Sequence, residues 1–170
     1  MLIVLAGLPG TGKTMVARSL ASILPAVHLR IDSIEQALRA SGIADDAMGA
    51  AGYAAAFALA ADNLALGQCV IADAVNPIRE AREAWRNVAL RAGAPLFEAE
   101  LTCSQRDEHR RRVESRTADI EGHRLPDWQA VEQRHYEAWD REHLLIDTAA
   151  RTPEQVVAVI MSEIAHMRGL

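Results

Sequence analysis

Six apolar residues, Met1-Leu2-Ile3-Val4-Leu5-Ala6, run directly into Gly7-Leu8-Pro9-Gly10-Thr11-Gly12-Lys13-Thr14. The run is short and continuously apolar, as in a strand buried on both faces of a parallel sheet. Beyond the eight residues, Met15, Val16, Leu20, Ile23 and Leu24 recur at helical spacing, and Pro25 ends the helix. The eight residues fit G-x-x-x-x-G-K-[ST], whose glycines turn backbone N–H groups inward while the helix dipole presents its positive end, together cradling phosphate. Of 18 lysines and arginines, Lys13 is the only lysine. A compact ammonium fits between phosphate oxygens where the broad guanidinium fork does not. The alternative, a tight turn with an incidental lysine, gives no reason for that placement.

Further strand-length apolar runs occupy Ala26–Ile31, Cys69–Ala72, Leu96–Leu101 and Leu144–Ile146. Between them lie helical patterns over Ser33–Ala40, Ala50–Leu66, Ile78–Arg91, Gln105–Arg116, Asp127–Trp139 and Pro153–Met167. This alternation predicts an α/β fold in three layers, a five-stranded parallel sheet with helices on both faces. At 170 residues the chain reads as a single domain, 1–170, with core enough to fold alone. Segment 115–127, charged, aperiodic and containing Gly122 and Pro126, reads as a short lid beside an arginine-rich stretch.

Half the residues are hydrophobic but only 4% aromatic, so aliphatic side chains must do most of the packing. The net charge of −5 gives no general attraction to nucleic acid or anionic membrane. Cys69 and Cys103 form no C-x-x-C pair, and no apolar stretch reaches membrane-spanning length. The apolar run at the very start leaves no room for a signal peptide, and the expectation is a cytoplasmic protein.

Several side chains bear on chemistry. Asp32 follows the second strand at the carboxyl edge of the sheet, where open α/β folds bind ligands. There it can orient an acceptor hydroxyl and take its proton. Preceding a helical pattern, with Glu35 three residues on, it equally suits a helix cap. Asp73 ends the third strand and fits a magnesium-organising acid, or a turn-forming aspartate. The next residue is Ala74 rather than a second acid, which favours transfer to an acceptor over hydrolysis. Arg112 and Arg116, four apart, share a helix face and can close over transferring phosphate, with Arg110 on another side. A solvated charged face paired with Asp107, Glu108 and Glu114 is the alternative. Arg30, Asn76 and Arg79 lie near the expected acceptor pocket. His28, His123 and His135 show no metal-binding spacing and read as structural or surface residues, and Trp85, Trp128 and Trp139 as packing.

These features resemble the small phosphate-loop kinases of the nucleoside-monophosphate-kinase-like fold, which include gluconate, shikimate, adenylylsulfate, chloramphenicol and polynucleotide kinases. The pattern is most similar to bacterial kinases labelled AAA-family ATP-binding proteins. Gly7–Thr14, Leu29-Arg30-Ile31-Asp32, Val70-Ile71-Ala72-Asp73 with Asn76, Arg110–Arg116 and Ile146-Asp147-Thr148 carry the resemblance. It implies that Asp32 contacts the acceptor hydroxyl, that Arg112, Arg116 and Arg110 contact nucleotide phosphates, and that Asp147 and Thr148 border adenine. Gln36 stands where many relatives place an arginine, with Arg39 one turn further.

The expectation is an ATP- and Mg²⁺-dependent phosphotransferase acting on a hydroxyl of a small molecule. Gly7, Pro9, Gly10, Thr11, Gly12, Lys13 and Thr14 would hold the phosphates, and Thr14 and Asp73 the magnesium. A regulatory GTPase is excluded, because the only lysine is in the loop and no N-K-x-D motif exists. A ring-forming motor is disfavoured by length and by the missing acid. A non-catalytic ATP-binding sensor and a polynucleotide end kinase remain alternatives.

Overall fold

A computed structural model describes residues 1–167 and 169, with backbone alone for 45–47 and 49. Five parallel strands form the central sheet: β1 (Leu2–Ala6), β2 (Ala26–Arg30), β3 (Cys69–Asp73), β4 (Leu96–Thr102) and β5 (Leu144–Asp147). Their order is β2-β3-β1-β4-β5. The predicted three-layer α/β architecture is therefore the observed one. Every residue of β1 is buried, which accounts for its unbroken apolar sequence: it is the central strand, covered on both faces.

One face packs against α1 (Lys13–Ile23) and α7 (Pro153–Met167). Ile3 and Leu5 meet Val16, Leu20, Ile160 and Ile164 there. The other face packs against α3 (Asp45–Ala65) and α4 (Arg79–Arg91). There Leu2 and Val4 meet Ala56, Ala60, Leu64 and Trp85. The small side chains Ala56 and Ala60, both fully buried, let α3 lie close to the sheet. Burying the aliphatic side chains of these two layers is the main stabilising contribution, at roughly 25 cal/mol per Å² of apolar surface. Within α1 the helical spacing holds, but Met15 and Ile23 face solvent.

The remaining helices are α2 (Ile31–Ala40), α5 (Arg106–Glu114) and α6 (Trp128–Glu132). Helix α3 starts five residues earlier than the sequence pattern predicts. The helix predicted over Asp127–Trp139 is a correction of another kind, since only Trp128–Glu132 is helical. Asp127 caps it, its carboxylate accepting from the Ala130 N–H at 2.8 Å. Beyond it the chain is a strap several of whose polar groups find partners outside itself. The Glu137 N–H donates to Pro77 O at 2.8 Å, and the buried Arg82 donates to Glu137 O at 3.0 Å. Trp139 lies under that guanidinium, 4.7 Å from ring centre to Cζ. Arg141 forms a two-pronged bond to Glu98, both contacts 2.8 Å. These external partners displace the i to i−4 ladder.

Asn76 ties the sheet edge to this layer. It is fully buried and holds a left-handed φ of 49°. Its side-chain amide donates to Leu5 O at 3.1 Å and accepts from Trp85 Nε1 at 2.9 Å. Its own N–H donates to the Tyr53 hydroxyl at 3.0 Å. Asn76→Ala leaves two buried polar groups short of a partner, so unfolding in urea should show a loss of about 2 kcal/mol or more. A change under about 0.5 kcal/mol, typical of surface substitutions, would contradict this account.

Candidate active site

The loop after β1 folds back on itself at the carboxyl edge of the sheet. Gly7 has φ 133°, and a Cβ there would lie 2.1 Å from Leu101 O of β4. No side chain fits. Gly10 is closed from behind, where a Cβ would meet Val113 Cγ2 at 2.6 Å. That contact comes from α5, whose buried His109 also donates from Nε2 to Pro9 O at 2.8 Å. Thr11 donates its hydroxyl to Leu8 O at 2.9 Å. Thr148 Oγ1 sits between Thr11 O at 3.1 Å and Thr102 O at 2.8 Å. The curl is thus held by β4, α5 and the turn after β5.

Lys13 begins α1 and is almost wholly buried. Its ammonium donates to Leu8 O at 2.8 Å, across the mouth of the curl. Burial lowers its pKa to about 8, with Arg116 and Arg134 acting in the same direction and Asp73 and Asp32 opposing. Asp73, one strand away, accepts from His28 at 3.2 Å. Burial pushes its carboxyl up, but hydrogen bonds from His28 and Thr14 and the charge of Lys13 outweigh that and hold it below the usual carboxylate range. A dry ammonium beside an ionised carboxylate and a hydroxyl is suited to phosphate and a hard divalent cation. Thr14 and Asp73 are oxygen donors of the kind magnesium takes when it binds through phosphate oxygens, so this pair fits that ion.

Asp32 stands in the first turn of α2, and Arg30 precedes that helix without a side-chain cap. The capping reading of Asp32 is therefore corrected: the helix starts one residue before it, and its carboxylate stays half-exposed at the mouth. Arg30 is buried and lies 3.6 Å from Asp32. Both its terminal nitrogens bind Asp119, at 2.8 and 3.0 Å. Arg18 of α1 binds the same carboxylate at 2.6 Å. Segment 115–127, which contains no helix or strand, is thus pinned over α1 and α2. Its Gly122 lies so close to Gln36 that a Cβ would approach Nε2 to 2.7 Å.

A glycine cradle with a buried lysine, at the carboxyl edge of a β2-β3-β1-β4-β5 sheet, narrows the family. A profile described as an AAA domain matches residues 2–139. The chain belongs to this AAA domain family. Its fold is that of the small P-loop kinases. The chain is similar to a candidate kinase of Chloroflexus aurantiacus, at 26% identity and TM-score 0.76 over 99% of this chain and 96% of that one. It is similar in fold to the Mycobacterium tuberculosis APS kinase CysC in complex with AMPPNP and APS (21%, TM-score 0.69, 96% of each chain). The same holds for Chaetomium thermophilum Kti12 in complex with ADP-AlF3 (21%, TM-score 0.72, 96% and 97%). The sequence finds no match among curated proteins.

The remaining residues singled out in the sequence fall into two groups. Arg116 acts electrostatically on Lys13. Arg112 instead binds Thr148 through both the hydroxyl and the carbonyl, each at 3.0 Å, and Glu108 at 2.7 Å. Arg110 pairs with Glu114 on the surface. Arg79 pairs with Asp140 at 3.0 Å, mostly exposed. Asp147 accepts from Ser104 and Ala149, closing the turn after β5. Among the residues the structure brings in, His109 and His28 lie 100 and 45 positions from their partners. Apart from their residue type, no sequence signal marks them.

Two outcomes test this geometry. Because the chain has one lysine, ¹³C-lysine labelling gives one Cε signal, which should titrate in the nucleotide-free protein with a midpoint at about 8. The charged form is disfavoured by folding, so the destabilisation is fully present below pH 8 and fades as pH rises toward the unfolded value of 10.5. A midpoint near 10.5 would refute the desolvated lysine. Asp119→Asn should release segment 115–127, so trypsin cleaves after Arg116 and Arg124 about fivefold faster. Unchanged cleavage would mean the three-way contact does not restrain it.

Proposed function

We propose that the protein is an ATP- and Mg²⁺-dependent kinase that transfers the γ-phosphoryl group to a hydroxyl of a small-molecule acceptor. The observation that carries this reading is the buried Lys13 ammonium beside ionised Asp73, at the mouth of a backbone curl shaped for phosphate. The Gly10–Thr14 N–H groups donate to the β-phosphate, and Lys13 leaves Leu8 O to reach between β- and γ-oxygens. Thr14 and Asp73 would hold magnesium, which neutralises charge on the phosphates when bound. Asp32 accepts the acceptor's hydroxyl proton as that oxygen bonds to the γ-phosphorus. The bond from phosphorus to the β–γ bridging oxygen breaks, and ADP leaves. Arg116 neutralises the oxygens of the group in flight. Segment 115–127 acts as the lid, excluding water that would otherwise compete with the acceptor.

Arg112 serves this chemistry as a positioning residue, since its guanidinium fixes Thr148 and through it Thr11 of the curl. Asp147 closes the same turn, and the proposal places the adenine beside it. The single-domain reading of 1–170 and cytoplasmic residence accompany this proposal. Among the described residues no helix is long and apolar enough to cross a membrane.

Lys13→Ala should abolish ADP release in a metabolite panel supplied with ATP. Asp32→Asn should lower kcat by about a hundredfold or more, the range of a lost general base, while leaving ATP affinity unchanged. Tight ATP binding with no acceptor-dependent turnover across the panel would instead mark a nucleotide sensor.

A further inference from the structure

Glu35 lies one helical turn beyond Asp32 on α2, so the two carboxylates neighbour each other on one side of the helix. Its side chain runs across α3 at Gly52, where a Cβ would sit 2.5 Å from Glu35 Cγ and 3.2 Å from Oε1. No left-handed φ explains that glycine, so what it supplies is room. The next residue, Tyr53, is bonded to the N–H of Asn76, three residues past Asp73. Asp32, Glu35 and Tyr53 act electrostatically on one another, and Asp32 acts likewise on Lys13, so this stretch of α2 and α3 borders the Lys13 end of the sheet.

Within this stretch Glu35 is half-buried and forms no hydrogen bond or ion pair among the described residues. Burial and the charge of Asp32 push its carboxyl up, and Arg39 and Arg134 oppose this from a distance. A carboxylate held partly out of water without a partner is unfavourable unless a ligand supplies donors. Both terminal nitrogens of Arg30 bind Asp119, and no ion pair joins Arg30 to Glu35 among the described residues.

Resting on the kinase reading, we propose that Glu35 determines acceptor specificity. It accepts a hydrogen bond from a second hydroxyl or an amino group of the acceptor, while Asp32 takes the proton of the hydroxyl that is phosphorylated. The acceptor class is a neutral polyol or an amino alcohol, with the two groups about one helical turn, roughly 5–6 Å, apart. A carboxylate or phosphate at the second position is repelled.

The test compares neutral polyols, amino sugars and the corresponding sugar acids as acceptors with the full-length protein. Acceptor-dependent ADP release and acceptor binding by calorimetry are both measured. Wild type should turn over polyols or amino sugars and reject the acids, and a preference within the first two sets tells hydroxyl from amine. Glu35→Gln should raise KM for the preferred acceptor about tenfold or more, the effect of losing a hydrogen bond to a charged group. Its kcat and ATP affinity should stay within about twofold. Gly52→Ala, which displaces the Glu35 side chain while keeping its charge, should raise the same KM. Preference for acids, or an unchanged KM in Glu35→Gln, would overturn the acceptor class while leaving the kinase standing. Absence of turnover with every acceptor would instead remove the kinase reading. In that event Glu35-dependent calorimetric binding of a polyol or amine would still support the specificity role, and no binding would overturn it.

Discussion

The Leu101 carbonyl occupies the space where a side chain on residue 7 would have to go. That close approach forces the loop after β1 to leave the sheet at a fixed angle, and the rest of the cradle is built outward from it. Gly10 closes on α5, His109 holds Pro9, and Thr148 holds Thr11. Three separate parts of the chain thus grip a loop of eight residues. A phosphate cradle works through preorganised N–H dipoles, whose value is lost if they must reorganise when charge moves. The rigidity is the function.

Lys13 illustrates the balance this creates. Its ammonium is dehydrated and satisfied by one carbonyl of the loop, with Asp73 and Asp32 supporting its charge and arginines opposing it. The site is therefore held in a state of electrostatic tension that a polyphosphate relieves. His28 contributes from β2 by binding one oxygen of Asp73, and Thr14 donates to the same carboxylate.

The sequence pattern locates all five strands to within about a residue because a buried parallel strand is locally encoded as an apolar run. The glycine loop is legible for the same reason, since it is contiguous. Helix α6 was overextended because the residues from His135 to Trp139 mimic helical spacing, while their real partners, Pro77 and Arg82, lie more than fifty positions away. The roles of Asn76, Arg112 and Thr148 were likewise hidden. Each looks chemically capable in the sequence, yet each spends its polar atoms on the frame. In the sequence Glu35 reads as part of a capping pattern, and its packing against Gly52 of the next helix carries no local signal.

The two sides of the cleft are made of different material. The phosphate side is backbone, locked by the sheet, and changes to it cost the fold. On the proposed kinase reading, the acceptor side consists of side chains on α2 and α3 and an irregular segment fastened by one carboxylate to two arginines. Apart from Ile31 and Ile34, α2 lies outside the strand packing, so substitutions on its polar face leave the hydrophobic layers intact. Chemistry and specificity are thereby separated in the same hollow. A new acceptor can be accommodated by changing the charge on one turn of α2 while the nucleotide end stays as it is.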